Sequence, residues 1–552
     1  MGNNSQWTNS GGSRSTQNKT LAVGYRAASG GGTQLAAGHF VNQKFSMTAI
    51  FPRPDAETGT LGSTAYAKNR WAYYDGSNNI ETAFAFKIFG GSRPLMYSIS
   101  AQPSGESATI GNTYGDKFSH GVFKWTPTRA FTTGSPATFT VRVTGQDGNF
   151  IDITWTMATS SSTSQFIFID PAGSSGNSGA IGSPKTLNAV TGGGGASTTT
   201  TFPGRHIIMR GGSYNTTAHT DAATFGTEPT KARLMLDSTH HPMVYSAYPG
   251  ETPIIDFINS EIAYGYTNSA DDFYIGGSGS TFTQILNASQ YAFETHNFWG
   301  FSANRVNFQW LWIDGFIVRN NGLETNSTPI YTGTHAVRNY YGVHGCAERS
   351  RVNATVGGND HAIHGYFCID YIVTEYCDFN SRGYYGLMFK DTVQYITAAH
   401  NSLIFTNANA DELQGKGICF SNQTLGNNAE ACYNFILGNG ITLNEHPYAN
   451  CVNQFSYRNT LIRKDTNGNP GITSGAGTGP FTSESDVIIC RGNGTITSGL
   501  TSVTGTECEM GWFPSYPPTN PPCNLSTGAL QNISGGTQYR TLYLGTRGWE
   551  IA

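Results

Sequence analysis

Between residues 305 and 500, runs of β-branched and aromatic residues end repeatedly on a single Asn, with an aliphatic residue two or three positions beyond it. LWIDGFIVRN reaches Asn320, YITAAHN reaches Asn401, YNFILGN reaches Asn439, NQFSYRN reaches Asn459 and IICRGN reaches Asn493; Leu403, Ile441, Leu461 and Ile496 follow the last four. Cys377, closing IDYIVTEYC and followed by Phe379, fills the same slot. Spacings between about 20 and 57 residues fit a solenoid in which the shortest step is one turn and the longer ones carry loops. Asn repeated at a turn can stack as a ladder, each amide bonding to the next coil. The pattern predicts an all-β chain whose main body, residues 165–500, is a right-handed parallel β-helix.

A different period precedes it. Over residues 76–160, IETAFAFKIFGG, PLMYSIS, GVFKWTPT and ATFTVRVTGQDGNFIDITWTMA alternate apolar and polar positions between Gly, Pro and Asp turns. Strands of that length and spacing make a small β-sandwich. The segment resembles immunoglobulin-like or cadherin-like domains in its Gly121–Pro127 and Thr138–Val143 stretches, without the antibody-type disulfide. Residues 1–75, rich in Gly, Ser and Asn, are expected to form an extended attachment arm, and residues 501–552 a loop-rich β tail.

Composition supports a β-rich chain and narrows its partners. Only 12% of the residues are charged and 68 of 552 are Gly, a poor composition for helices. A net charge of −4 gives no basic stripe, so nucleic acid is not an expected partner. No apolar run is long enough to span a membrane, so membrane insertion is not expected. MGNNSQWTNSGG lacks the basic and apolar regions of a secretory signal. The nine cysteines all lie beyond residue 345, several inside strand-like runs, as small core residues do. No CxxC or HxxxH spacing points to a metal; His240, His241, His361 and His364 read as loop and surface residues, and no cofactor is expected.

From residue 165 the chain reads FIFIDPAGSSGNSGAIGSPKTLNAV, then RHIIMRGGSYN and HPMVYSAYPGETPIIDF. These segments resemble the opening coils of pectin-lyase-type parallel β-helix proteins, a group that includes polysaccharide lyases, glycosidases, phage tailspikes and adhesins. Straight columns of outward side chains on such a face suit an extended glycan. Trp299, Trp312, Tyr384 and Tyr385, with Arg382 and His446, are the candidate sugar-contacting residues. Hydrolysis needs two carboxylates across the scissile bond. Acidic residues are scarce, so the group Glu375, Asp378, Asp411, Glu412 and Glu445 supplies the candidate catalytic pair. Counting by twos from Phe379 puts Glu375 on the inner parity, where burial would raise its pKa, and Asp378 on the outer. A lyase would draw instead on Arg382, Lys390 and Lys416, but the paired Lys and Arg motif of alginate lyases, the calcium site of pectate lyases and the signatures of polygalacturonases are absent.

Arm, sandwich and long β-helix together resemble a bacteriophage tailspike. That resemblance implies a homotrimer assembled in the host cytoplasm and carried on the virion tail, joined to tail proteins through the N-terminal arm. It also implies binding, and hydrolysis, of host surface polysaccharide. The alternatives are a secreted polysaccharide lyase or hydrolase and a non-catalytic glycan-binding adhesin.

Overall fold

The computed structural model describes residues 44–51, 71–111, 121–191 and, between 205 and 510, chiefly the strands of each coil and the tight corners joining them. Three parallel sheets dominate the described residues. One has twelve strands, from Phe166–Ile169 to Ser502–Thr504; one has eleven, from Gly212–Asn215 to Glu507–Met510; one has ten, from Ala232–Leu236 to Thr497–Ser498. From the second coil onward each strand pairs with the strand three further along, so the chain winds through the three faces in turn. This is a parallel β-helix. Ile372 lies beside Ile396, Ile396 beside Ala429 and Ala429 beside Gln454, giving coils of 24, 33 and 25 residues. Stacking puts like beside like: Phe379, Leu403, Ile436, Leu461 and Ile488 form one buried column down the eleven-stranded face.

The corner before that column explains the recurring Asn. At each corner one residue takes the left-handed conformation: Tyr376, His400, Tyr433 and Arg458 all have φ between 55° and 56°. For residues other than Gly this costs of order 1 kcal/mol, so something must hold them there. The next residue does so. Asn401 Oδ1 accepts from the Cys377 amide (3.1 Å), Asn434 Oδ1 from Asn401 N and Nδ2 (3.0 Å each), and Asn459 Oδ1 from Asn434 N and Nδ2 (2.9 Å each). Asp486 Oδ1 closes the series, accepting from Asn459 N at 2.8 Å and Nδ2 at 2.9 Å. The slots are therefore Cys377, Asn401, Asn434, Asn459 and Asp486. Asn401, Asn459 and Cys377 hold the expected positions. Asn434 stands between Asn401 and Asn459 and bonds to both. Asn320, Asn439 and Asn493 lie outside the described residues.

The sandwich places a four-stranded sheet, ordered Trp71–Tyr73, Phe150–Ser160, Ala137–Thr144 and Met96–Ala101, against a three-stranded one of Thr82–Ala85, Val122–Trp125 and Ala108–Ile110. Alternation along Ala137–Thr144 buries Ala137, Phe139, Val141 and Val143 and leaves the threonines between them toward solvent. Phe123, Phe139, Trp125 and Trp155 pack with ring centroids 4.8–5.7 Å apart. Glu106 fastens the Trp-Thr-Pro-Thr turn, accepting from Trp125 Nε1 (3.1 Å), Thr128 N (3.0 Å) and Thr128 Oγ1 (2.6 Å). Part of the segment expected as an arm is woven in: Thr48–Phe51 pairs with Lys87–Phe89, and Trp71–Tyr73 with Ala158–Ser160.

The sandwich lies against the outer side of the twelve-stranded face. Tyr73 and Ile80 pack with Phe166, Phe168 and Ile208 of the first two coils, while Val244 and Val373 join the sandwich core. Phe89 meets Tyr395, and Phe45 meets Phe455. Lys44 pairs with Glu484 at 2.6 Å. Contacts thus run from the first coil to the eleventh, and that face is covered wherever these residues sit.

Candidate functional site

Glu375, a candidate acid from the sequence, lies in this covered contact. Its carboxylate is 1% exposed; Arg93 Nη1 donates to it at 2.9 Å and Lys87 Nζ lies 3.5 Å away. Arg93 Nη2 donates to the Ile88 carbonyl at 2.6 Å, and its Nε is 3.9 Å from Glu430. Glu430 accepts from Thr397 Oγ1 (2.8 Å) and Tyr457 OH (2.7 Å), and Tyr433 OH donates to the Arg93 carbonyl (2.6 Å). Two cations from the sandwich and two carboxylates from the β-helix form a buried, formally neutral cluster. Burial raises the Glu430 pKa above its ordinary value despite Arg93 and its hydrogen-bond donors. Burial works against the Arg93 charge, but Glu375 foremost, with Glu430, outweighs it and raises the guanidinium pKa.

This corrects the parity assigned to Glu375. Val373 and Glu375 lie on the outer side of their sheet, against the sandwich, because the left-handed corner at Tyr376 and Cys377 resets the period of two. A polymer chain has no access to a carboxylate so enclosed. Asp378 begins the next strand, half-buried, beside Ala347 and Ser402. Trp312 stands in the twelve-stranded face between Tyr274 and Gly342, and Tyr385 in the ten-stranded face beside His361 and Lys416. The two aromatics therefore belong to strands of different faces. Asp411, Glu412, Glu445, Trp299, Arg382, Tyr384 and His446 lie outside the described residues.

Sequence reasoning missed Glu430, Lys87 and Arg93, although the first two stand alone as charges within apolar strands, Ala429–Cys432 and Lys87–Phe89. It also missed Asp486. This carboxylate ends the Asn ladder fully buried, accepting from Ser456 and Ser483 hydroxyls at 2.8 and 2.7 Å besides Asn459. Burial pushes its pKa up to about 6, the hydrogen bonds only partly opposing it. These groups organise the fold.

No protein-family model matches the chain, and no curated protein does. Among solved structures the chain is similar to a family 28 exopolygalacturonase from Yersinia enterocolitica, at 10% sequence identity and a TM-score of 0.28, over 71% of this chain and 85% of that one. A likeness of that size carries no argument about activity, and the β-helix rests on the chain's own strand pairing.

Proposed function

We propose that the chain is a phage tailspike that binds and hydrolyses a bacterial surface polysaccharide, O-antigen or capsule, during adsorption. The observation that carries the reading is the stack of three parallel ladders. At about 4.8 Å per strand, ten or more strands make a rigid face roughly 45 Å or more long, suited to an extended polymer. The sandwich occupies the twelve-stranded face, so glycan and neighbouring subunits fall to the other two. On this reading the sandwich is immunoglobulin-like, the β-helix is right-handed as parallel crossovers overwhelmingly are, and residues 1–75 include the attachment segment. Three copies associate in parallel as a homotrimer, burying β-helix faces against one another. The buried position of Glu375 moves the chemistry away from the twelve-stranded face.

The test is incubation of the full chain with a panel of purified O-antigens and capsular polysaccharides, followed by sizing and mass analysis. Hydrolysis adds one water per cut, whereas a product with new ultraviolet absorption marks elimination and a lyase. Sedimentation at micromolar concentration should give a trimer; a monomer that cleaves would favour a secreted enzyme, and a trimer that binds without cleaving an adhesin.

A further inference from the structure

The first three coils of the β-helix bring an acid, a cation and a phenol to one corner. Phe166–Ile169, His206–Met209 and Met243–Ala247 pair in register, with Ile169 beside Met209 and Met209 beside Ala247. The residues that follow, Asp170, Arg210 and Tyr248, are therefore successive rungs of one column. The amides of Arg210 and Tyr248 donate to the Ile169 and Met209 carbonyls at 2.9 and 2.7 Å. From this corner the chain turns onto the eleven-stranded face, through Gly212–Asn215 in one coil and Pro253–Asp256 in the next. FIFIDP, HIIMRGG and VYSAYPGE, all within the opening-coil segments of the sequence, meet here.

Tight turns fix these side chains. Pro249 and Gly250, the latter at φ 76°, close a turn in which Glu251 N donates to the Tyr248 carbonyl at 3.0 Å. The turn sends Glu251 back toward Arg210, whose Nε donates to its two carboxylate oxygens at 3.0 and 2.9 Å and whose Nη2 donates to Oε1 at 2.6 Å. The Gly211 amide donates to Oε2 as well. The guanidinium lies over the Tyr248 ring, 4.4 Å from its centroid. Tyr248 in turn packs on the cluster of Tyr73 and Phe168 where the sandwich meets the first coil. Beneath the corner the buried Tyr214 hydroxyl sits 2.9 Å from the Ile169 carbonyl and 2.8 Å from that of Arg210.

The valences left over define what the corner can hold. Asp170 Oδ1 accepts from the Ala172 amide at 2.7 Å. Asp170 Oδ2, Arg210 Nη1 and the Tyr248 hydroxyl make no hydrogen bond to another described residue, and the Arg210 and Glu251 side chains are 32% and 28% exposed. One acceptor, one donor and one group that does both are matched by neighbouring hydroxyls, each of which donates and accepts. Charge points the same way. Hydrogen bonding from Arg210, foremost, lowers the Glu251 pKa below the ordinary carboxylate value, and that to Glu251, foremost, raises the Arg210 pKa, with Asp170 adding to the rise. Two carboxylates thus face one guanidinium, which disfavours an acceptor-only anion such as a phosphate or a uronate. Glu251 and the tyrosine ring hold the guanidinium before any ligand arrives, so binding does not have to order it.

We infer that Asp170, Arg210 and Tyr248 form a subsite for a neutral pyranose residue of the surface polysaccharide, at the corner that leads onto the eleven-stranded face beside the sandwich. The inference rests on the polysaccharide reading above and adds where the polymer is gripped. Neighbouring sugar hydroxyls donate to Asp170 Oδ2 and accept from Arg210 Nη1, while the Tyr248 hydroxyl bonds to a further sugar oxygen. Glu251 is a positioning residue, which aims the guanidinium. The role is recognition, and no covalent bond is made or broken here.

The experiment measures binding of the full chain, by calorimetry, to a panel of purified O-antigens and capsular polysaccharides, some neutral and some containing uronates. On a neutral polysaccharide that the unsubstituted protein binds, Asp170→Asn and Tyr248→Phe, which keep the shapes of the side chains, should weaken binding by about tenfold and about threefold. The urea unfolding midpoint should not move. Bound polysaccharide should also shield Tyr248 from hydroxyl-radical labelling, a readout that needs no variant. Binding within about twofold of normal in both variants, or undiminished labelling of Tyr248 at saturating polysaccharide, overturns the subsite and leaves the polysaccharide reading intact. Binding confined to the uronate-containing members overturns it too. If a variant lowers the urea midpoint, the labelling result decides. Failure to bind any member of the panel overturns both the subsite and the polysaccharide reading.

Discussion

Arg93→Met should be among the most damaging single changes in the chain, because Arg93 is the buried partner of Glu375. The wild-type cluster balances Lys87 and Arg93 against Glu375 and Glu430, all buried. Methionine keeps much of the stem's volume and removes the charge, leaving a net buried negative charge with Lys87 alone to compensate. Breaking a buried pair by removing one partner costs about 3–5 kcal/mol. The Ile88 carbonyl also loses its 2.6 Å donor, about 1 kcal/mol more. Glu375→Gln should cost a comparable amount for the opposite reason, since two cations then face one carboxylate. The double variant restores one cation to one carboxylate, so it should be more stable than the sum of the two losses predicts, by at least about 1.5 kcal/mol. Urea unfolding followed by tryptophan fluorescence, which reports on buried Trp125 and Trp155 in the sandwich, together with circular dichroism of the β-helix, measures all three. A loss below about 1 kcal/mol for Arg93→Met, or strict additivity in the double variant, would refute the claim that these charges hold the sandwich to the β-helix.

Asp486 should make stability fall as pH rises. Its folded pKa is raised from 3.8 to about 6, so its contribution is fully present below 3.8, where both states are protonated, and is lost as pH passes through 6. At about 1.4 kcal/mol per pH unit the loss is about 3 kcal/mol, and Asp486→Asn, measured by urea unfolding between pH 4 and 8, should flatten that part of the profile. Asn434→Ala should cost about 2–4 kcal/mol, because it strips partners from the buried Asn401 amide groups and the Ala398 carbonyl. Hydrogen exchange at the Asn401 amide should quicken; unchanged protection would mean that the ladder does not hold the corner.

Much of the fold was legible because its repeat is written in residue types. Asn401 and Asn459 are followed two residues on by Leu403 and Leu461, which stack in the buried column, and the same spacing links Cys377 to Phe379. Asn439 obeys that rule too, through Ile441, which is why it could be taken for the slot. The discriminating feature is the hydrogen bonding from corner to corner, which residue spacing does not carry. Asn434 bonds to both Asn401 and Asn459, whereas length alone does not decide, since the coil from Thr482 to Ser502 is itself 20 residues long. Asp486 was hidden because a carboxylate oxygen can end an amide ladder: it offers the acceptor that Asn459 needs, and the last rung need not donate onward.

Carboxylates were harder to place, for a reason that follows from the corners. Period-two counting is valid within a strand, and Phe379 and Glu375 are separated by a left-handed residue that turns the chain onto another face. Counting through it sent Glu375 to the wrong side of its sheet. Nor could local spacing reveal its partners, since Arg93 is 282 residues away. What the sequence did offer was complementarity. In a chain with few charges, a Lys isolated in TAFAFKIF and Glu residues isolated in YIVTEYC and AEACY must each find a counter-charge if their strands are buried. A scarce charge in an apolar strand is therefore first a candidate for a structural pair.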